Sequence, residues 1–192
     1  MSYKNKNFSK DELAGETYTK ESFNSCKFLA TNLKFVSFQN CVFNNCDFSG
    51  AVFNISSFSN CSFIECKLSN LDFAEVIIRE CSFKDSNISN SIFQSFNPTD
   101  NNKKKQTDLK KCAFENCDLS SSVYIKCLLN DVDMINSKFD EVIFEKCNLE
   151  NADLTGSSIN NARFDDCIIR DTKLELDGFI QAGMSRGFVL SR

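Results

Sequence analysis

All eleven cysteines of this 192-residue chain fall on one phase of a five-residue repeat. From Cys26 through Cys41, Cys46, Cys61 and Cys66 to Cys81 every gap is a multiple of five. From Cys112 through Cys117, Cys127 and Cys147 to Cys167 every gap is again a multiple of five. Two residues after each cysteine stands a large apolar residue, such as Phe28 after Cys26, Phe48 after Cys46 and Leu119 after Cys117. A cysteine placed at random meets that phase about one time in five, so geometry and not thiol chemistry has placed these. The period extends well beyond the cysteines. Blocks run in fives over 16–95 and, in a second register, over 107–176, giving 30 blocks. Every central position is Phe, Leu, Ile, Met or Tyr. The position two before it is small or β-branched except at Glu16 and Glu21, with one Leu, and the other three positions are mostly Asn, Ser, Asp, Lys, Glu and Gly.

A period of five matches neither the 3.6 of a helix nor the 2.0 of a strand, and so regular a repeat takes precedence over local propensity. Two inward residues separated by one outward residue make a very short strand. The polar remainder must then turn a corner, a task that suits Asn, Ser, Asp and Gly. Repeated corners wind the chain into coils that stack at about 4.8 Å, and only the stack has a core. Of the 20 Phe, 15 occupy central positions, so they read as core and not as an outward platform for nucleic-acid bases.

Cys46–Gly50 (Cys-Asp-Phe-Ser-Gly), 41–45 (Cys-Val-Phe-Asn-Asn), 117–121 (Cys-Asp-Leu-Ser-Ser) and 152–156 (Ala-Asp-Leu-Thr-Gly) resemble the pentapeptide-repeat signature A(D/N)LXX and its Cys/Phe-rich variants. The resemblance covers about residues 16–176. It implies an all-β fold, a right-handed quadrilateral β-helix with four blocks per coil and seven to eight coils, in a rod roughly 35 Å long. It also makes residues 20 apart stacked neighbours, which sets Cys26, Cys46 and Cys66 in one ladder.

Around this frame the chain divides into a lead-in (1–15), the first register (16–95), an inserted basic loop (96–106), the second register (107–176) and a C-terminal cap or dimerisation tail (177–192). The insertion holds the only Pro and the only Lys triplet of the chain. Asn97, Pro98, Lys103, Lys104 and Lys105 are its candidate partner-binding residues. A plain surface insertion, which costs little free energy, is the other reading. Glu16 and Glu21 occupy positions where charge cannot be buried, so the first coil is expected to be open. Phe179, Met184, Phe188 and Leu190 form an apolar tail that caps the last coil or pairs with a second subunit. The glycines at 178, 183 and 187 weigh against a helix there.

Charge is uneven. Residues 1–95 carry 9 basic and 10 acidic groups, 96–111 carry 5 and 2, and 112–192 carry 8 and 14, which sums to the net −4 of the chain. The acidic C-terminal half either keeps the rod soluble or presents a face that imitates DNA, whose duplex carries one charge per about 1.7 Å. The candidate acidic face is Asp131, Asp133, Asp140, Glu141, Glu145, Glu150, Asp153, Asp165 and Asp166.

The chain has no His, which excludes His-based triads, and it has no phosphate-binding glycine loop. It reads as no enzyme. The polar N-terminus lacks a secretory pattern, and no apolar run reaches a membrane span. The odd cysteine count and the packing role of the cysteines point to buried thiols in a reducing cytoplasm. Zinc sites use closer cysteine pairs than the C-x4-C found here. No cofactor, metal, membrane contact or direct nucleic-acid binding is therefore expected. The continuous two-register helix, the mid-chain loop and the apolar tail are similar to the quinolone-resistance branch of the pentapeptide-repeat family. That likeness implies a homodimer that binds DNA gyrase and topoisomerase IV. The branch often has two loops where this chain has one. The alternative is a structural or adaptor rod that binds another protein and has no topoisomerase activity.

Overall fold

The computed structural model describes residues 1–94 and 106–191. Short parallel strands, most of them three residues long, stack into a four-sided β-solenoid of about eight coils. The only helix among the described residues closes the chain at Leu176–Ser185.

The first face holds six strands: Ser2–Lys4, Ser22–Asn24, Val42–Asn44, Ser62–Ile64, Ser82–Lys84 and Ala113–Glu115. Its inward residues form an aromatic column. Phe23, Phe43, Phe63 and Phe83 stack with ring centroids 4.8 Å apart. Phe83 stacks on Phe114 at 4.9 Å and 3°. The second face runs through Phe28, Phe48 and Leu119 and is joined by single bridges such as Lys27↔Asp47 and Asp118↔Lys138. The third face carries Phe73, Phe93, Tyr124 and Phe144, and the fourth carries Phe38, Phe58 and Leu129.

The corners follow from backbone conformation. The last residue of nearly every block lies in the left-handed region, as at Asn40 (φ 54°), Asn60 (φ 52°), Asp131 (φ 60°) and Gly50 (φ 69°). Gly, Asn and Asp enter that region at the lowest cost, which is why they recur there.

Two sets of side-chain hydrogen bonds explain the rest of the signature. The Asp or Asn before the central residue accepts the N–H two positions on. Asp47 Oδ1 takes the Ser49 N–H at 3.0 Å, and Asp153 Oδ1 takes that of Thr155 at 3.0 Å. Where the small position is Cys, Ser or Thr it mostly donates to a carbonyl one coil back, 23 residues earlier within a register, although the Thr31 hydroxyl has no such partner. Cys46 donates to Phe23 at 3.3 Å, Ser91 to Leu68 at 3.0 Å, and Thr172 to Leu149 at 2.7 Å. Cys, Ser and Thr serve here as small donors, and Ala and Val share the position on size alone.

The lead-in assigned to 1–15 is corrected. Ser2–Lys4 pairs with Ser22–Asn24, Asn7 bridges to Lys27, and Phe8 and Leu13 are buried. The same phase therefore runs back through Leu13, Phe8 and Tyr3. It is hidden because Lys6, Asp11 and Glu16 stand at the small positions. At this end of the described stack a long polar side chain at the small position reaches solvent. Lys6 Nζ sits 4.6 Å above the Phe8 ring and pairs with Glu12 at 2.6 Å, while Glu21 pairs with the Met1 ammonium and Glu16 is exposed.

All eleven cysteines are free thiols, and ten are buried. Cys167, in the last coil, is only partly covered.

Candidate partner-binding surfaces

The C-terminal tail makes a compact apolar patch. The chain leaves the last coil at Leu174 and enters the helix, with Gly178 packed so close that a Cβ there would lie 3.2 Å from Leu174. Gln181 Oε1 accepts the Ile159 N–H at 2.8 Å and ties the helix to the coil end. The helix forms in spite of the glycine content, because Gly178 buys the close approach to the solenoid. After it the chain turns through Gly187 (φ 86°), and the Phe188 N–H returns to the Gly183 carbonyl at 3.1 Å.

This turn brings Phe179, Met184, Phe188 and Leu190 together along one cleft with Ile180, Gly183 and Val189. The four sequence-derived residues remain 61%, 62%, 72% and 68% exposed. So much contiguous apolar surface marks an interaction site more often than a bare surface.

The nine acidic residues do not form one face, which corrects that expectation. Asp133 and Asp153 stack on the first face. Asp140 follows Phe139 on the second, and Glu141 sits at its corner. Glu145 and Asp165 stack on the third, with Asp166 at its corner. Glu150 belongs to the fourth, and Asp131 to the corner after it. Successive blocks point to successive faces, so acidity spread along the sequence winds around the rod.

Part of that charge is also compensated. Glu145 pairs with Lys146 at 2.6 Å, Asp165 with Arg163 at 2.5 Å, Asp153 with Lys173 at 2.9 Å, and Glu150 with Arg170. The Thr155 hydroxyl and Lys173 hold the Asp153 carboxyl below the usual carboxylate range. Asp131 is held low by the amides of Asn130 and Asn151. The carboxylates stack as two short ladders, Asp133–Asp153 and Glu145–Asp165, in the coils nearest the apolar tail, with Asp133 alone of the four outside an ion pair among the described residues. The basic candidates Asn97, Pro98, Lys103, Lys104 and Lys105 lie outside the described residues.

A family model for pentapeptide repeats, in eight copies, matches residues 23–54 and 56–94, and a second, for a pentapeptide repeat region, matches 107–177. The chain belongs to the pentapeptide-repeat family. Among solved structures, full-length QnrB1, a plasmid-mediated fluoroquinolone resistance protein, is similar over 97% of both chains at 18% identity, with a TM-score of 0.51. HetL, a pentapeptide repeat protein involved in heterocyst differentiation regulation from the cyanobacterium Nostoc, is similar over 86% of this chain and 90% of its own. Its identity is 12% and its TM-score 0.61. At these identities the likeness is one of fold. No curated protein sequence matches.

One surface escaped the sequence reading. The edge between the third and fourth faces carries Phe35 and Ile55 in left-handed corner positions, 53% and 59% exposed. The available signal was an apolar residue at a block position otherwise mostly Asn, Ser, Asp, Lys, Glu or Gly.

Proposed function

We propose that this protein is a non-enzymatic β-helix rod that binds a type II topoisomerase, DNA gyrase or topoisomerase IV, as a homodimer joined through its C-terminal tails. The observation that carries the reading is the gathering of Phe179, Met184, Phe188 and Leu190 into one exposed patch at the end of the stack. A two-fold pairing of that patch covers it on both copies at once. It also brings the Asp133–Asp153 and Glu145–Asp165 ladders of both rods to the centre of a particle about 70 Å long. Carboxylates on rungs about 4.8 Å apart form a coarser anionic array than the one charge per about 1.7 Å of duplex DNA. The likeness in fold to QnrB1 supports the choice of partner.

A second reading is an adaptor rod for another protein. It is favoured by the spread of the nine carboxylates over four faces and by the ion pairs at Glu145, Glu150, Asp153 and Asp165. A gyrase supercoiling assay with and without a quinolone separates the two. Inhibition or protection at micromolar protein supports topoisomerase binding, and no effect leaves the adaptor reading.

A further inference from the structure

We propose that the solenoid edge bearing Phe35 and Ile55 is a protein-docking ridge, which seats both side chains in an apolar, carboxylate-rimmed pocket of the partner. The first ground is conformational. Of the non-glycine residues in the left-handed region, only Ala30, Phe35 and Ile55 are apolar among those described. A bulky or β-branched residue is the least suited to that region. Isolated exposed apolar residues are ordinary, but these two occupy corners where Asn, Asp or Gly would fold more favourably, and burial does not reward them. Strain without a packing return points to a use outside folding.

The second ground is arrangement. Phe35 and Ile55 are 20 residues apart, hence on neighbouring coils, because Leu33 pairs with Phe53 in the strands that lead into them. Val52 and Ile77 are 58% and 49% exposed in the strands beside them and widen the ridge. The ridge ends at Glu75, the next corner along. The same edge carries the break in register between Gln94 and Thr107 two coils further on.

The third ground sets the chemistry of the partner. A corner of a square rod is convex, so the partner supplies the concavity. Lys34 Nζ stands 5.0 Å from the Phe35 ring and brings a cation to one end of the ridge, which a carboxylate on the pocket rim complements. This contact lies in the half of the chain away from the acidic ladders. Anionic rungs alone would suit any DNA-binding surface, so an apolar anchor adds discrimination between partners.

The proposal takes its probe, purified DNA gyrase, from the functional reading above. The test is Phe35→Asn with Ile55→Asn, measured for melting temperature, for sedimentation and for binding to immobilised gyrase. Asn suits left-handed corners, so the melting temperature should rise by about 2–4 °C while affinity falls at least tenfold. A loss of binding then cannot come from misfolding. Wild-type binding that the double variant retains overturns the ridge. Should the wild type itself not bind gyrase, the topoisomerase reading fails, and the ridge is judged on stability. An unchanged or lower melting temperature overturns it, and a rise supports side chains kept at the expense of folding. A variant that sediments as a smaller species than the wild type makes a second copy the occupant and overturns the assignment to another protein.

Discussion

Tyr124 lies flat on Phe93, with ring centroids 4.7 Å apart and planes 1° apart, yet its hydroxyl is buried without a hydrogen-bond partner. Burial pushes its pKa well above the usual tyrosine value, so it stays protonated. Phe occupies the equivalent rungs at Phe73, Phe93 and Phe144. An unsatisfied buried hydroxyl costs about 1–3 kcal/mol. Tyr124→Phe is therefore expected to raise unfolding stability by about 1 kcal/mol, read by urea melting at constant m-value. A loss of stability would show that the hydroxyl has a partner inside the rod.

The core prediction concerns Phe58, which is 2% exposed and stacked 5.1 Å from Phe38. Phe58→Ala removes a ring from a column that neighbouring coils cannot close up, at a cost of about 3–5 kcal/mol. A cost below about 1 kcal/mol in the same urea melt would contradict the stacking.

The thiols give a pH prediction. Burial lifts Cys112 to about 11 and Cys117 to about 12, against about 8.5 in an unfolded chain. Between those values the unfolded chain has released protons that the native one keeps, so stability falls as pH rises. The contribution is complete below about pH 8.5 and is lost progressively toward pH 11–12. Melting temperature against pH should decline over that window, and a flat profile would contradict the burial. At pH 8, a thiol reagent should find few reactive groups in native protein, Cys167 first, and about eleven after unfolding.

At the tail, Phe188→Asp with Leu190→Asp alters two residues that are 72% and 68% exposed. Monomer stability should change by less than about 0.5 kcal/mol, while sedimentation should shift from dimer to monomer. A wild type that is already monomeric would remove the tail-to-tail particle.

The interior was legible in the sequence because a period of five with apolar centres has few other solutions. Phe58 and the cysteine columns lie where the phase puts them. The N-terminal coil was not legible, since Lys6 and Asp11 break the small-residue rule in the first of the described coils. Asp133 and Asp153 were readable as outward residues, but their faces follow from the four-block winding, and their local roles follow from geometry. Asp133 accepts the Ile135 N–H, as Asp153 accepts that of Thr155. Phe35 and Ile55 could be read as apolar exceptions at corner positions, but only the structure shows that they stay 53% and 59% exposed.

The stacking of Phe83 on Phe114 has a consequence for how this molecule can change. Elsewhere in that column the partners are 20 residues apart, and here they are 31 apart, with ring spacing unaltered. Distance along the chain and height along the rod are therefore uncoupled at a corner. Extra residues inserted there leave the columns on either side in register, whereas a single residue gained within a strand would turn the later side chains of that coil inside out. Corners are thus the places where such a chain can acquire new surface without rebuilding its interior.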